Sequence, residues 1–135
     1  MNYNLFTLKA HKPKRLPEAN VQAEIYCQLK ALNIEVILEY KQYVKAMNCF
    51  MRIDVAVIQG DRLITAIECK SRNKTRINEN TRQHKKYMSL GIPFMYCLSI
   101  KDVETCCNLV KKFYFAGEPF KEGVNTYSVL KKENI

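Results

Sequence analysis

The chain predicts an α/β domain, a mixed central β-sheet flanked by helices in the order α-β-β-β-α-β-α. Three observations carry that expectation. Val21, Ile25, Leu29 and Leu32 recur at helical spacing. Two runs of Val, Ile, Leu and Ala, Arg52–Ile58 and Leu63–Lys70, are separated only by the polar stretch Gln59-Gly60-Asp61-Arg62, a hairpin signal. Further on, Val103, Cys107, Val110 and Tyr114 share one face of a closing helix that Gly117 stops. At 135 residues, 47% of them apolar, the chain fits one domain with one core.

Taken in order, residues 1–15 read as a loosely docked basic arm carrying Lys9, Lys12, Lys14 and Arg15, and residues 16–135 as a single domain. A helix is expected from near Pro17 to Leu32, with the proline tolerated in its first turn. Strands follow at Ile34–Tyr40, Met51–Ile58 and Leu63–Lys70. The intervening Lys41–Cys49 is longer than a tight hairpin and reads as an added loop beside the site. The polar stretch Ser71–Arg76 leads to a helix over Asn78–Leu90, on which Asn80, Gln83, Tyr87 and Leu90 share a face turned towards the sheet. Pro93–Ser99 is the next strand, Asp102 starts the last helix, and Asn125–Leu130 adds an edge strand.

Charge inside the two apolar runs points to chemistry. Asp54 has hydrophobic neighbours on both sides, and burying a carboxylate without a partner is expensive enough that it would sooner neutralise. With a loop of Gly60-Asp61-Arg62 and Gln59 paired to Leu63, Asp54 falls opposite Glu68, and a slip of one residue would lose this. Glu68 and Lys70 share a strand face, roughly 6–7 Å apart, while Cys69 points the other way. Two carboxylates and an ammonium therefore converge on one patch. Hard cations such as Mg²⁺ take oxygen ligands and are often held by one or two carboxylates beside substrate phosphate. Asp54, Glu68 and the carbonyl of Cys69 suit that role, with Lys70 placed to orient a water or to neutralise charge developing at phosphorus.

Composition narrows the partners. The formal net charge is +9 and the pI near 9.3. Arg72, Lys74, Arg76, Arg82, Lys85 and Lys86 follow Lys70 with only Glu79 among them, a candidate phosphate-binding track whose affinity would fall steeply with salt. The basic clusters lack the large apolar face of a membrane-surface helix. No run is long enough to span a bilayer, and the start lacks a signal-peptide pattern. Cys27, Cys49, Cys69 and Cys97 fall in apolar periodic segments, Cys106-Cys107 are adjacent on a helix, and no CxxC pair occurs. Six unpaired thiols imply a reducing cytoplasm. His84, beside Gln83, is expected to touch solvent or phosphate.

Asp54 followed by Glu68-Cys69-Lys70 resembles the PD-(D/E)xK nuclease superfamily, in particular VRR-Nuc domains and archaeal-type Holliday junction resolvases. The likeness runs from about Val21 to Tyr114, and Gln83 with Tyr87 is similar to a QxxxY element found after the ExK strand in some members. The proline before the first acid is replaced by Ile53. The resemblance implies a restriction-endonuclease-like core and a Mg²⁺- or Mn²⁺-dependent DNA endonuclease with no small-molecule cofactor. It implies metal at Glu24, Asp54, Glu68 and Cys69, catalytic roles for Glu24, Asp54, Glu68, Lys70 and Gln83, and Tyr87 near the scissile phosphate. Branched DNA cut by a homodimer, as in junction resolution during recombination and repair near the nucleoid, is the leading expectation. The alternatives are a nuclease-like module that binds DNA without cutting it, and an RNA-directed nuclease.

Overall fold

The first apolar stripe forms helix α1, Leu16–Ala31, with Val21, Ile25 and Leu29 buried along one side. A computed structural model describes residues 16–70, 78–120 and 125–128. Asn33 takes a positive φ of 62°, which turns the chain after α1 into the first strand. Strands β1 (Glu35–Val44) and β2 (Cys49–Gln59) pair antiparallel from Glu35 opposite Ile58 to Val44 opposite Cys49. The segment 41–49 is therefore not a loop. It continues both strands and closes through a short 3-10 turn, Lys45–Met47, ended by Asn48 in the left-handed region. Alternation of Tyr40, Gln42 and Val44 with exposed Lys41 and Tyr43 lets the ribbon run on past the expected end of β1.

Strand β3, Arg62–Cys69, returns from β2 through a tighter turn than the sequence implied. Gln59 pairs with Arg62 rather than Leu63, leaving a two-residue loop, Gly60-Asp61. Gly60 sits at φ +66°, where a two-residue hairpin needs glycine at its first position. The register then shifts between Val57 and Ile58, so that Thr65 faces Val57, Ala66 faces Ala56 and Ile67 faces Val55. Ile64 is the extra residue of this bulge. Beyond it the strands stand in the register that sets Asp54 against Glu68.

Thr81, not Asn78, opens the second helix, α2 (Arg82–Leu90): its side chain accepts from the His84 N–H. Asn80 precedes the helix and is exposed, its own N–H bonded to the Asn78 side chain. A left-handed Gly91 ends α2, and β4 (Phe94–Cys97) then lies parallel to β3. The buried Thr65 hydroxyl donates to the Pro93 carbonyl at 2.7 Å and pins this crossover. Helix α3, Val103–Ala116, follows and is ended by Gly117. The short β5, Thr126–Tyr127, pairs antiparallel with β4. The five strands form one mixed sheet in the order β1-β2-β3-β4-β5, so the domain is α/β.

Two cores result. Val36, Val55, Val57, Ile67, Cys69, Met95 and Cys97 meet α1 and α3 on one face. Ala56, Ile58, Ala66, Phe94 and Tyr96 meet Tyr87 of α2 on the other. Ile53 and Met51 share the parity of Val55 yet pack in the second core, which an untwisted strand forbids. The reversal falls at Asp54, between the Leu38–Val55 and Tyr40–Ile53 pairs; its neighbour across the ladder is Glu39, at φ 54°. There the β1–β2 ribbon rolls over, and its outer half leans on α2 through β1 and the 3-10 turn. Cys27 departs from the expected core, since it is exposed on α1.

Candidate active site

The roll of the ribbon opens β2 from β3 at the acids. The β2–β3 ladder ends at Val55–Ile67, and the next backbone donor of β3, the Cys69 N–H, is taken by the Asp54 Oδ2 at 2.8 Å. A side chain here replaces a strand. Because the Lys70 N–H points to β4, donating to Cys97 O at 2.9 Å, the Cys69 N–H and carbonyl leave the strand towards β2 and Asp54. The Cys69 thiol lies in the opposite core, as alternation requires.

Asp54 and Glu68 are 4% and 5% exposed. Glu68 is held at both oxygens. Its Oε1 accepts from the Tyr87 hydroxyl at 2.6 Å, and its Oε2 accepts from Gln83 Nε2 at 2.9 Å. Lys70 Nζ stands 3.6 Å from the same Oε2 and donates to Gln83 Oε1 at 3.3 Å. Gln83 thus bridges the acid and the amine, each end of its amide matched to one of them. Lys70 is half-buried just beyond the end of β3.

Burial first, and the charge of Asp54 second, push the Glu68 carboxyl up to about 7; the Tyr87 hydrogen bond and Lys70 oppose this. Burial and the neighbouring Glu68 hold the Tyr87 hydroxyl well above the usual phenol range, so it remains a donor. Its ring is fixed by stacking on Phe94, which stacks in turn on Tyr127, with centroids 5.1 and 4.9 Å apart.

A cleft of about 320 Å³ opens over the pair. Asp54 and Glu68 line its floor, with Met51 and Gln83 beside them, while Arg52, Arg82 and Lys86 supply the cationic wall. Two like-charged, buried oxygen ligands that resist being ionised together are the donor set a hard dication relieves. The residues therefore fit Mg²⁺ or Mn²⁺ at Asp54 and Glu68, with the Cys69 carbonyl on the same side. Among the described residues no cluster of three His, Cys, Asp or Glu side chains stands ready for a metal, so water or phosphate oxygens would complete the shell.

The structure brings Asp54, Glu68, Lys70 and Gln83 together, but not Glu24. Glu24 lies on the exposed side of α1 and accepts from Gln28 Nε2 at 3.1 Å; α1 packs on the sheet face opposite α2. Tyr87 is wholly buried, so it cannot touch DNA and instead positions Glu68. His84 is likewise buried, with Nδ1 3.0 Å from the Tyr96 hydroxyl, because the helical turn that points Lys85 to solvent turns His84 onto the aromatic stack. Arg82 and Lys86 line the cleft and Lys85, exposed, does not. Arg72, Lys74, Arg76 and the arm 1–15 lie outside the described residues.

Two residues escaped the sequence reading. Arg52, two before Asp54, lines the cleft and pairs with Glu39 at 2.9 Å; its alternation with Asp54 was the available signal. On α1 Gln22 is buried where Glu24 is exposed, and among the described residues the Gln22 Oε1 has no hydrogen-bond partner. Gln22 interrupts the Val21–Leu29 apolar stripe only by its polarity, which gives no direction. No protein-family model, curated protein or solved structure matches the chain.

Proposed function

We propose that the chain is a divalent-metal-dependent nuclease that hydrolyses phosphodiester bonds in DNA. One observation carries the reading: a buried acid pair, Asp54 and Glu68, lies beside the amine of Lys70 at the floor of a cleft walled by Arg52, Arg82 and Lys86. A core that needed only stability would gain nothing from two facing carboxyls, since replacing buried charge by apolar residues is often neutral or stabilising.

The division of labour follows from position. Asp54 and Glu68 would hold the dication, which when bound supplies Lewis acidity to the phosphoryl oxygens and to a water. Lys70, partly exposed beside Glu68 and Gln83, is placed to orient that water and to offset charge growing at phosphorus. Gln83 keeps the Lys70 amine and the Glu68 carboxylate in register. Tyr87 fixes the Glu68 rotamer from behind. Arg52, Arg82 and Lys86 would take the flanking phosphates, which positions a strand without reading its sequence.

The likeness to PD-(D/E)xK enzymes agrees with this chemistry and adds branched DNA and a symmetric dimer as the favoured substrate and assembly. The test is cleavage of supercoiled, linear and four-way-junction DNA with Mg²⁺ or Mn²⁺, beside Lys70→Ala and matched RNA strands. Metal-dependent nicking by the wild type, reduced at least 100-fold in Lys70→Ala, is expected. If both proteins bind DNA equally and neither nicks any substrate, the chain is a binding module and the enzyme reading fails.

A further inference from the structure

The rolled β1–β2 ribbon carries an aromatic pair that the chemistry above does not use. Tyr43 and Phe50 face each other across the ribbon, with centroids 5.1 Å apart in an edge-to-face arrangement. They remain 42% and 55% exposed. Lys41 Nζ stands 4.6 Å over the Phe50 ring. Arg52, two residues along β2 from Phe50, lines the cleft and links the pair to it. Lys86, which also lines the cleft, donates to the Phe50 carbonyl at 3.2 Å.

We infer that Phe50, with Tyr43 at its edge, is a stacking platform for an unpaired base of the DNA strand lying in the cleft. This rests on the nuclease reading and narrows its substrate to DNA with an unpaired segment beside the cut. Three features favour that occupant. An aromatic face with Lys41 over it, and with Arg52 and Lys86 lining the adjoining cleft, matches a base whose flanking phosphates need cations, the combination by which single strands are held. Duplex bases are already stacked and offer a protruding ring nothing to cover. The exposed Lys41–ring contact is weaker than base stacking, so a base can displace the ammonium, which is then free for phosphate.

The experiment is binding without cleavage, in EDTA, by fluorescence anisotropy of a fluorescein-labelled flap DNA and a fully paired duplex of equal length. Phe50→Ala should weaken flap binding by on the order of tenfold and leave duplex binding within about twofold. Phe50→Trp should restore flap affinity, and Phe50→Leu, which keeps apolar bulk without a π face, should not. A 2-aminopurine in the flap should be quenched by the wild type and not by Phe50→Ala. Equal losses on both DNAs, or full affinity in Phe50→Leu, would overturn the inference. Because the binding assay requires no cutting, the two failures are distinguishable: active cleavage with an unaltered flap preference in Phe50→Ala would sink the platform alone.

Discussion

Replacing Glu68 by Gln should stabilise the metal-free protein at alkaline pH and not at acid pH, although it removes a residue held by two hydrogen bonds. The Glu68 carboxyl ordinarily titrates near 4.5 and is pushed up to about 7 by burial and by Asp54. The folded state then binds the proton more tightly than the unfolded state. Stability associated with the protonated acid is fully present below pH 4.5 and is lost as pH rises through 7. At about 1.4 kcal/mol per pKa unit, the loss amounts to about 3 kcal/mol at pH 8. Glutamine keeps the shape and carries no charge. Its amide still accepts from Tyr87 but sets an NH₂ against Gln83, which returns roughly 1 kcal/mol of the gain. The expected net is about 2 kcal/mol at pH 8, or a rise of roughly 5–10 °C in Tm for a domain of this size, with little change or a small loss at pH 5. Thermal unfolding in EDTA at both pH values measures it. Equal destabilisation at pH 5 and pH 8 would mean instead that the Glu68 charge is not strained.

Other substitutions probe separate parts. Asp54→Asn should abolish nicking while salt-sensitive DNA binding holds or rises slightly, checked by cleavage and anisotropy, because the amide oxygen can still accept from the Cys69 N–H. Tyr87→Phe removes the hydrogen bond that favours ionised Glu68, so the acid limb of the rate–pH profile should move to higher pH in steady-state assays. Glu24→Gln should leave cleavage within about twofold, since the structure sets it apart from the acids; a loss of 100-fold would return Glu24 to the site. Thr65→Val should cost about 1–3 kcal/mol in chemical denaturation by leaving the buried Pro93 carbonyl without its donor.

Legibility in the sequence followed the strength of local constraint. Asp54, Glu68 and Lys70 stood out because charge inside apolar strands violates burial, and parity alone placed Glu68 and Lys70 on one face. The Asp54–Glu68 register was reached by an incorrect turn: Gly60-Asp61 closes tightly and Ile64 bulges, two compensating displacements that no pattern separates from none. The outer ribbon was missed because Lys41 to Cys49 mixes polar and aromatic residues at the rim of the sheet, where alternation is visible but strand propensity is weak. Glu24 and Gln22 lie two positions apart on a helix, about 200° around its axis. Choosing between them needs the docking angle of α1, a tertiary quantity. Tyr87 was assigned to its helical face correctly and to the wrong partner, since facing the sheet here means reaching the back of Glu68.

The acid pair as a dication site is tested most directly by titrating Mn²⁺ into the metal-free wild type and into Asp54→Asn by calorimetry, with the proton count read from buffers of different ionisation enthalpy. Saturable binding to the wild type, lost in the variant, is expected. Close to one proton should be released per ion at pH 6, where Glu68 is mostly protonated, and almost none at pH 8.5. Binding undiminished in Asp54→Asn, or no saturable binding to the wild type at either pH, would contradict it.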